Sequence, residues 1–304
     1  MKKILNLLVI LLGVIVLVGC NKNENSLENE IKIITPYDAP HLALGGLLEV
    51  DNLNIEAVNG ADNLKTALLK GTHDIVVAPI NLGATLFNGG KTNYKVAAIL
   101  TTNNAYIVTK KENKLDSLND LNGEKVLAFG QTGVPGSLLK RLYSDYELDI
   151  NNVDFTFASS SAVYSVFSEG STDAKYALMS ELQISKLVLI NKIEVKTLDL
   201  CSVLGFNAVQ ACVFVNPNSN NLDDVNKVLE LIEENVNWLN ANPEEYASKV
   251  VSLNRVFEAT TKEVIIRGIP LANITYKNAK EYNDEIDNIL SIVGVKQPDD
   301  SFYY

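Results

Sequence analysis

Histidine and cysteine are scarce in this sequence, which contains two histidines and three cysteines among its 304 residues. It has no HExxH motif and no Cys or His pairs at the spacings that bind zinc. A Ser–His–Asp order with a supporting nucleophile motif is also missing. We therefore predict no metal, no cofactor and no hydrolase triad, although a fold by itself does not exclude catalysis.

Positive charge is scarce as well. The sequence has 26 Lys and Arg residues against 37 Asp and Glu residues, which gives a formal net charge of −11. Proteins that bind nucleic acid gain affinity by neutralising phosphates with basic side chains. The charge balance therefore argues against nucleic acid as a partner.

The known nucleotide fingerprints are absent too. Residues 129–142 read FGQTGVPGSLLKRL, in which Gly130, Gly133 and Gly136 form GxxGxxG. A dinucleotide-binding turn needs GxGxxG, and a phosphate-binding P-loop needs a Lys followed by Ser or Thr after its last glycine. Glycine and proline at a helix start still leave backbone amides that can face a ligand. Two interpretations stay open here, a ligand loop and a turn without a ligand.

The N-terminus has the organisation of a signal peptide. Lys2 and Lys3 precede an uncharged run over residues 4–18, which is shorter than the roughly 20 apolar residues that span a membrane. The ending LVGC at residues 17–20 resembles the lipobox of bacterial lipoproteins, which implies that Cys20 is lipidated and begins the mature protein. An ordinary signal peptide and a single membrane helix are the alternatives. Residues 21–30, NKNENSLENE, are predicted to form a flexible tether.

Strand and helix patterns alternate along the rest of the chain, which predicts an α/β fold. The predicted strands are residues 31–35, 54–58, 74–79, 95–101, 105–110, 124–130, 153–158, 174–180, 193–198 and 207–217. The predicted helices are residues 41–49, 62–70, 82–87, 136–146, 162–168 and 182–190, followed by a helical tail over 222–240, 243–253, 260–269 and 278–295.

Two segments of the chain echo each other. Residues 63–79, NLKTALLKGTHDIVVAP, align with residues 162–178, AVYSVFSEGSTDAKYAL, so that Gly71 matches Gly170. Each glycine is predicted to end a helix in the left-handed conformation before a strand begins. Chance similarity is the alternative, because helix capping alone favours this spacing. The echo favours two lobes, with lobe one formed by residues 31–103 and 214–304 and lobe two by residues 104–213.

The order of several motifs resembles a known family. HLALGGLLE, KGTHDIVVAP, KVAAILTTNNAYIVTKK and LDSLNDLNGEKVLAFGQTGVPGSLLKRL follow the lipobox and precede the helical tail. This succession, over residues 31–295, is similar to the solute-binding lipoproteins of bacterial ABC importers, and most of all to the nitrate, sulfonate, bicarbonate and thiamine-precursor binding group. The resemblance implies a type II periplasmic-binding-protein fold, in which each lobe is a mixed sheet flanked by helices and the tail packs on lobe one.

The function implied by the resemblance is capture of a solute between the lobes and its delivery to an ABC permease and its ATPase. The protein would work outside the cytoplasm, held at the membrane by its lipid anchor. The same fold also hosts enzymes that act on small metabolites, which is the alternative. Cys201 and Cys212 lie in apolar contexts, as free thiols or as one disulfide.

Ligands of open α/β sheets lie outside the carboxyl ends of the strands, and this rule selects candidate contacts in each lobe. In lobe one they are Thr35, Pro36, Tyr37, Asp38, His41, Pro79, Asn81, Thr101, Thr102 and Asn103. In lobe two they are Gln131, Thr132, Gly133, Val134, Ser159, Ser160, Ser161 and Glu181. Capping of helices is the alternative role for Asp38 and for the serine triplet, and packing is the alternative for His41.

The chemistry of these loops constrains the solute only in part. None of them contains Lys or Arg, so a strongly anionic solute would depend on hydroxyl groups and helix N-termini. Tyr37, Asp38 and Glu181 suit a polar, aromatic or partly cationic molecule. The sequence departs from the family pattern at Glu181, where Ser-Glu-Leu stands in place of the Glu-Pro-like pair of many relatives. We predict a small nitrogen- or sulfur-containing organic solute, such as a thiamine pyrimidine precursor or an alkanesulfonate.

Overall fold

The computed structural model describes residues 26–253 and 260–304. The predicted signal peptide, the lipidation site Cys20 and residues 21–25 of the predicted tether lie outside the described residues. Within the described ranges, no helix is both long and apolar enough to span a bilayer.

The regular elements follow the alternation that the sequence predicts. The strands are β1 (Ile31–Pro36), β2 (Leu53–Val58), β3 (Ile75–Pro79), β4 (Lys95–Thr102), β5 (Tyr106–Lys110), β6 (Val126–Phe129), β7 (Val153–Phe157), β8 (Tyr176–Met179), β9 (Val195–Asp199), β10 (Val209–Val215) and β11 (Ile274–Asn278). The α-helices are α1 (Ala39–Leu42), α2 (Asp62–Lys70), α3 (Ile80–Asn88), α4 (Val134–Asp145), α5 (Ser160–Glu169), α6 (Glu181–Leu189), α7 (Leu200–Leu204), α8 (Leu222–Ala241), α9 (Pro243–Ser252), α10 (Lys262–Gly268) and α11 (Asn283–Ile292).

The strands form two mixed sheets. The first sheet has the order β11-β4-β10-β3-β1-β2, and the second has the order β7-β6-β8-β5-β9. In the first sheet β4 and β10 each run antiparallel to both of their neighbours, and in the second sheet β5 does so. Strand β3 (IVVAP) lies inside its sheet and is almost entirely buried, whereas the edge strand β2 (LNIEAV) alternates between less and more exposed residues.

The internal echo of the sequence has a structural counterpart. Helix α2 ends at Gly71 with φ of 64°, and helix α5 ends at Gly170 with φ of 68°, so both glycines adopt the predicted left-handed conformation. The strand that follows Gly71 is β3, which pairs antiparallel with β10, and the strand that follows Gly170 is β8, which pairs antiparallel with β5. The predicted helix–glycine–strand repeat is confirmed.

Two chain segments pass between the sheets, and they lie side by side. The backbone N–H of Asn103 donates to the carbonyl of Ala208 at 3.0 Å, and the Asn103 side chain accepts from the Ala208 N–H at 2.6 Å. Asn103 Nδ2 also donates to Asn207 Oδ1 at 2.9 Å. The segment that leads into β5 and the segment that leads into β10 are therefore adjacent.

The C-terminal region differs from the predicted helical tail. Residues 274–278 form β11, an edge strand antiparallel to β4, where the sequence suggested no strand. The tail packs on the first sheet through the helix α8, as predicted, but α10 also packs against α6 beside the second sheet. The boundary predicted at residue 213 cuts β10, all of which pairs within the first sheet.

Two shorter stretches also depart from prediction. The helix predicted at 41–49 is split into α1 and a 3₁₀ turn (Gly45–Leu47), because the Tyr246 hydroxyl accepts from the Gly46 N–H at 3.0 Å and donates to the Leu42 carbonyl. The end of the predicted tether is not free: Leu27 is buried in the core, and the Asn29 N–H donates to Asp224 at 2.9 Å. Burial of Leu27 and the hydrogen bonds to Asp224 hold this segment against the first sheet's helices.

Candidate functional site

A cavity of about 380 Å³ lies between the two sheets. Its wall is formed where strands end, by residues that follow β1, β2 and β3 on one side and β6, β7 and β8 on the other. The helices α2 to α6 begin at this wall, so several helix N-termini converge on the same space. The position agrees with the rule that ligands of α/β sheets lie beyond the carboxyl ends of the strands.

The structure brings most of the predicted contact residues into this wall. Those that line the cavity are Pro36, Tyr37, Asp38, Pro79, Asn81, Thr101, Thr132, Gly133, Val134, Ser159, Ser160 and Ser161. Those that are not among the lining residues are Thr35, His41, Thr102, Asn103, Gln131 and Glu181.

Asp38 lies between β1 and α1, and its side chain extends toward the second sheet. One carboxylate oxygen accepts from the Ala39 N–H at 3.0 Å and caps α1, and the other accepts from the Ser180 hydroxyl and, at 3.5 Å, from Gln183 Nε2. Burial raises the pKa of the Asp38 carboxyl, and the Ser180 hydrogen bond opposes this shift most strongly. Asp38 therefore has both roles that the sequence left open, helix capping and a place in the wall.

The backbone of Asp38 is in an uncommon conformation. Its φ of 89° and ψ of −148° fall in a region that favours glycine and costs other residues on the order of 1–3 kcal/mol. The conformation directs the carboxylate across the cavity to Ser180. Strain of this kind is concentrated at binding and active sites, where the surrounding contacts impose it.

The Ser159–Ser160–Ser161 loop combines capping with contact to the opposite loops. Ser159 Oγ accepts from the Ala162 N–H at 3.3 Å and caps α5, as the sequence allowed. Ser160 Oγ accepts from the Ser180 N–H at 2.9 Å, which joins the ends of β7 and β8. The result is a row of hydroxyl groups that leads to Asp38.

The three glycines of residues 129–142 form a folded-back turn at the start of α4. Gly130 has φ of 67°, and a Cβ atom on Gly136 would lie 2.2 Å from the Gly130 carbonyl oxygen. Glycine at 136 is therefore required by the close approach of two backbone segments. Gly130, Thr132, Gly133 and Val134 line the cavity, while the carbonyl of Gln131 accepts from Lys140 Nζ at 2.7 Å.

Asn81 links the two sides of the cavity directly. Its Nδ2 donates to the Thr132 carbonyl at 2.7 Å, from the start of α3 to the glycine turn. Its Oδ1 is buried and has no hydrogen-bond partner among the described residues. The same holds for Gln183 Oε1 and Gln210 Nε2, which belong to two other lining residues. Buried polar atoms in proteins are nearly always paired, so these three suit a bound molecule.

Glu181 points away from the cavity. Its carboxylate is an acceptor for Arg267 at 2.6 Å and for the Ser185 hydroxyl at 2.9 Å, with its side chain only 4% exposed. Burial raises the pKa of Glu181, and Arg267 is the main opposing influence. Ser180 and Gln183 line the cavity in its place, one residue before it and two after it.

His41 and Asn103 have structural roles in this geometry. His41 is buried beneath Tyr37, with the two ring centroids 5.7 Å apart, and burial lowers its pKa to about 4. Asn103 joins the two crossing segments, and its neighbour Asn104 lines the cavity instead. Thr35 is completely buried within β1, which keeps it out of the wall.

The sequence-based selection also missed part of the wall. The missed residues are Ala39, Pro40, Val58, Asn59, Gly60, Ala61, Leu64, Leu82, Thr85, Asn104, Phe129, Gly130, Pro135, Ala158, Ser180, Gln183, Gln210 and Ala211. The strand-end rule, applied to β2 as well, would have found residues 58–61. Gln210 and Ala211 start an antiparallel strand, so their end of β10 faces the cavity although it is not a carboxyl end.

Comparisons with known proteins agree with this architecture. A family model described as NMT1/THI5 like matches residues 46–246. No curated protein matches the chain in a sequence search.

Solved structures with a similar fold cover nearly the whole chain. An ABC transporter protein from Parabacteroides distasonis is 20% identical, with a TM-score of 0.73 over 91% of this chain and 99% of that chain. The periplasmic aliphatic sulphonate binding protein SsuA from Escherichia coli is 13% identical, with a TM-score of 0.66 over 91% and 92%. The CA3427 gene product of Candida albicans, described as having the generic periplasmic binding protein fold, is 10% identical, with a TM-score of 0.56 over 90% and 93%. The predicted α/β periplasmic-binding-protein fold is confirmed.

Proposed function

The chain belongs to the NMT1/THI5-like family, and from this premise we propose that it is the solute-binding lipoprotein of an ABC importer. It captures a small nitrogen- or sulfur-containing organic solute between its two sheets and delivers it to a permease served by an ATPase. Structural neighbours described as an ABC transporter protein and as a sulphonate binding protein support this role by analogy of fold.

The observation that carries the proposal is the cavity between the strand ends of the two sheets. Its volume of about 380 Å³ lies within the range of small-molecule sites, about 300–1,000 Å³. Its wall combines apolar side chains with hydroxyl and amide groups from both sides. Such a wall can desolvate a small organic molecule and still fix its orientation with a few hydrogen bonds.

The proposed mechanism is closure of two lobes about the crossing segments. Lobe one consists of residues 31–103 with the C-terminal region, and lobe two begins at residue 104; we move its end from residue 213 to before Val209, because β10 pairs in the first sheet. A solute that contacts both lobes stabilises the closed arrangement by its differential affinity for it. The hydrogen bonds from Asn81 to Thr132 and from Ser180 to Asp38 are direct contacts between the two lobes.

Solute binding can be tested by a thermal-shift screen of the purified protein with sulfonates, nitrate, bicarbonate, amino acids and pyrimidines. A compound at 100 times its Kd should stabilise the fold by about 2.7 kcal/mol. Ala158→Trp should abolish the shift, because Ala158 is an exposed residue of the cavity wall. Ala241→Trp, at the exposed end of α8, should keep it.

Three other outcomes would argue against the proposal. A shift that survives in the Ala158→Trp variant would move binding to another part of the molecule. Turnover of a bound compound would favour an enzyme of the same fold over a transport protein. Silence across the whole panel would count against solute binding.

The anchor is proposed on the N-terminal motif. Cys20 in LVGC would carry the lipid, so the wild-type protein should sediment with membranes outside the cytoplasm. A Cys20→Ser variant should lose the mass of the lipid chains in mass spectrometry. An unmodified Cys20 in the mature wild-type protein would contradict this proposal and leave the solute site untouched.

A further inference from the structure

We infer that the solute carries a cationic nitrogen group, and that Asp38 is the residue that selects it. This inference rests on the proposed function and specifies which chemical class the same cavity accepts. The charges of the wall, its unpaired polar atoms and the bonding capacity of Asp38 support it.

The charge of the wall has one sign. Among the described residues that line the cavity, Asp38 is the only carboxylate, and no Lys, Arg or His is present. An anionic solute would lie beside this carboxylate with only helix N-termini to offset it. A cationic solute would gain from the same charge, and electrostatic attraction is strengthened in a site that excludes water.

The buried side-chain atoms of the described wall residues that lack a hydrogen-bond partner are mainly acceptors. Asn81 Oδ1 and Gln183 Oε1 are buried without a partner among the described residues. Their orientation follows from the network, because Asn81 Nδ2 is committed to the Thr132 carbonyl and Gln183 Nε2 faces Asp38. Both oxygens expose less than 1 Å² as the side chains stand, so a rotation of the amides is needed to offer them to a solute; together with the carboxylate they favour a solute that donates hydrogen bonds. Among the buried unpaired atoms of the described wall residues, Gln210 Nε2 is the one donor.

Asp38 has capacity for a further donor. An ionised carboxylate offers about four lone-pair sites, and Asp38 uses three, with Ala39, Ser180 and Gln183. Lys186 acts on Asp38 as a through-space charge and is not a lining residue. Burial lowers the pKa of Lys186, so this ammonium is itself poorly solvated and does not replace a partner inside the cavity.

The apolar part of the wall indicates an organic cation. Val58, Leu64, Leu82 and Phe129 line the cavity together with Tyr37, and they would cover a hydrocarbon or aromatic skeleton. No group of three or more metal-ligating side chains occurs in residues 26–253 and 260–304. An ammonium or protonated nitrogen on a compact skeleton satisfies both the acceptors and these apolar surfaces.

The experiment compares matched probes on the purified protein. The probes form three sets of three compounds. The compounds of one set have the same skeleton, which is ethyl, butyl or benzyl, and differ only in the end group, which is ammonium, hydroxyl or sulfonate. Affinities are measured by calorimetry for the wild type, for Asp38→Asn and for Asp62→Asn. Asparagine caps helices as well as aspartate does, so Asp38→Asn removes the charge and keeps the cap of α1. Asp62 is an exposed acid at the start of α2 and serves as the matched control.

We expect ammonium probes to bind more tightly than their hydroxyl and sulfonate partners. Asp38→Asn should weaken ammonium binding at least tenfold, as expected for loss of a hydrogen bond to a charged group, and Asp62→Asn should change it less than twofold. Circular dichroism checks that the variants are folded; if Asp38→Asn is not, Asp38→Ser supplies the same test with a capping residue.

Two results would overturn the inference, and they differ from failure of the proposed function. Tighter binding of the sulfonate or hydroxyl probes, or ammonium binding that is unchanged in Asp38→Asn, would refute the selection by charge while solute binding itself stands. If no probe of any class binds, and the broader solute screen is also silent, both the inference and the proposed function fail.

Discussion

Arg267 on α10 and Glu181 at the start of α6 form an ion pair of 2.6 Å that joins the C-terminal region to the second sheet. Ser185 bonds to both partners, at 2.7 Å from Arg267 and 2.9 Å from Glu181. The two helices are closely packed, since a Cβ atom on Gly268 would lie 2.5 Å from a Leu182 methyl group. Because α6 also supplies Gln183 to the cavity, this contact holds part of the wall in position.

Arg267→Ala should destabilise the protein by about 3 kcal/mol in urea unfolding. The reason is that it leaves Glu181 buried without its charge partner, and breaking a buried pair typically costs about 3–5 kcal/mol. Partial exposure of Arg267, at 32%, argues for the lower end of that range. Arg141→Ala is the control, because Arg141 pairs with Asp145 on the surface and should contribute at most about 0.5 kcal/mol. Equal losses in the two variants would disprove the structural role of the buried pair.

Gly136→Ala should be far less tolerated than Gly133→Ala. A Cβ atom at 136 would lie 2.2 Å from the Gly130 carbonyl oxygen, whereas at 133 its nearest neighbour would be 3.5 Å away. Forced overlap of this kind costs about 1–3 kcal/mol or prevents the turn from closing. Thermal unfolding of both variants measures the difference. A Gly136→Ala protein as stable as Gly133→Ala would mean that the two backbone segments do not approach so closely.

The extent to which the sequence predicts this fold depends on how local each signal is. Gly71 and Gly170 were predictable because a left-handed cap is a local requirement of the helix end. Strand β11 was missed because ITYKN is a short edge strand, whose pairing with β4 depends on residues far away in the sequence. The burial of Leu27 likewise depends on contacts that are distant in the sequence, with the core around it and with Asp224, which binds the neighbouring Asn29.

The residues of the candidate site divide in the same way, into those with a local signal in the sequence and those placed by distant contacts. Asp38, Asn81 and Ser160 were found by the rule that strand ends face the ligand. Glu181 was selected by the same rule, but the direction of its side chain is set by Arg267, which lies 86 positions further along the chain. Gln210 was missed because only the three-dimensional structure brings the start of an antiparallel strand to the cavity.

The stability of the protein should fall as the pH is lowered from neutral, in part because of His41. Burial lowers the pKa of His41 from 6.5 to about 4, so between these values the unfolded chain binds a proton that the folded protein does not. Stability from this group is therefore complete above pH 6.5 and is lost toward pH 4, by about 2 kcal/mol between pH 7.5 and pH 5. Urea unfolding at the two pH values measures the loss.

The contribution of His41 is isolated by comparison with His41→Gln, which does not titrate in this range. The variant should lose about 2 kcal/mol less than the wild type on acidification, whatever its stability at neutral pH. The difference between the two proteins cancels the effects of other groups, including Asp38 and Glu181, in which burial raises the pKa. Identical pH dependence in both proteins would contradict a neutral, buried His41.

Asn81→Ala should weaken binding of a solute identified in the screen about tenfold, while Gln131→Ala should leave it within a factor of two. Asn81 donates across the cavity to the Thr132 carbonyl and presents an unpaired oxygen in the wall, so its removal costs the closed arrangement one cross-cavity hydrogen bond and the solute one acceptor. A buried hydrogen bond contributes about 0.5–1.5 kcal/mol, which corresponds to about two- to tenfold in affinity, and loss of the solute contact adds to it. Gln131 is exposed and is not a lining residue, although its neighbours in the turn are. Calorimetry with one solute on both variants makes the comparison, and a larger effect at Gln131 than at Asn81 would mean that the turn presents a different set of residues to the ligand.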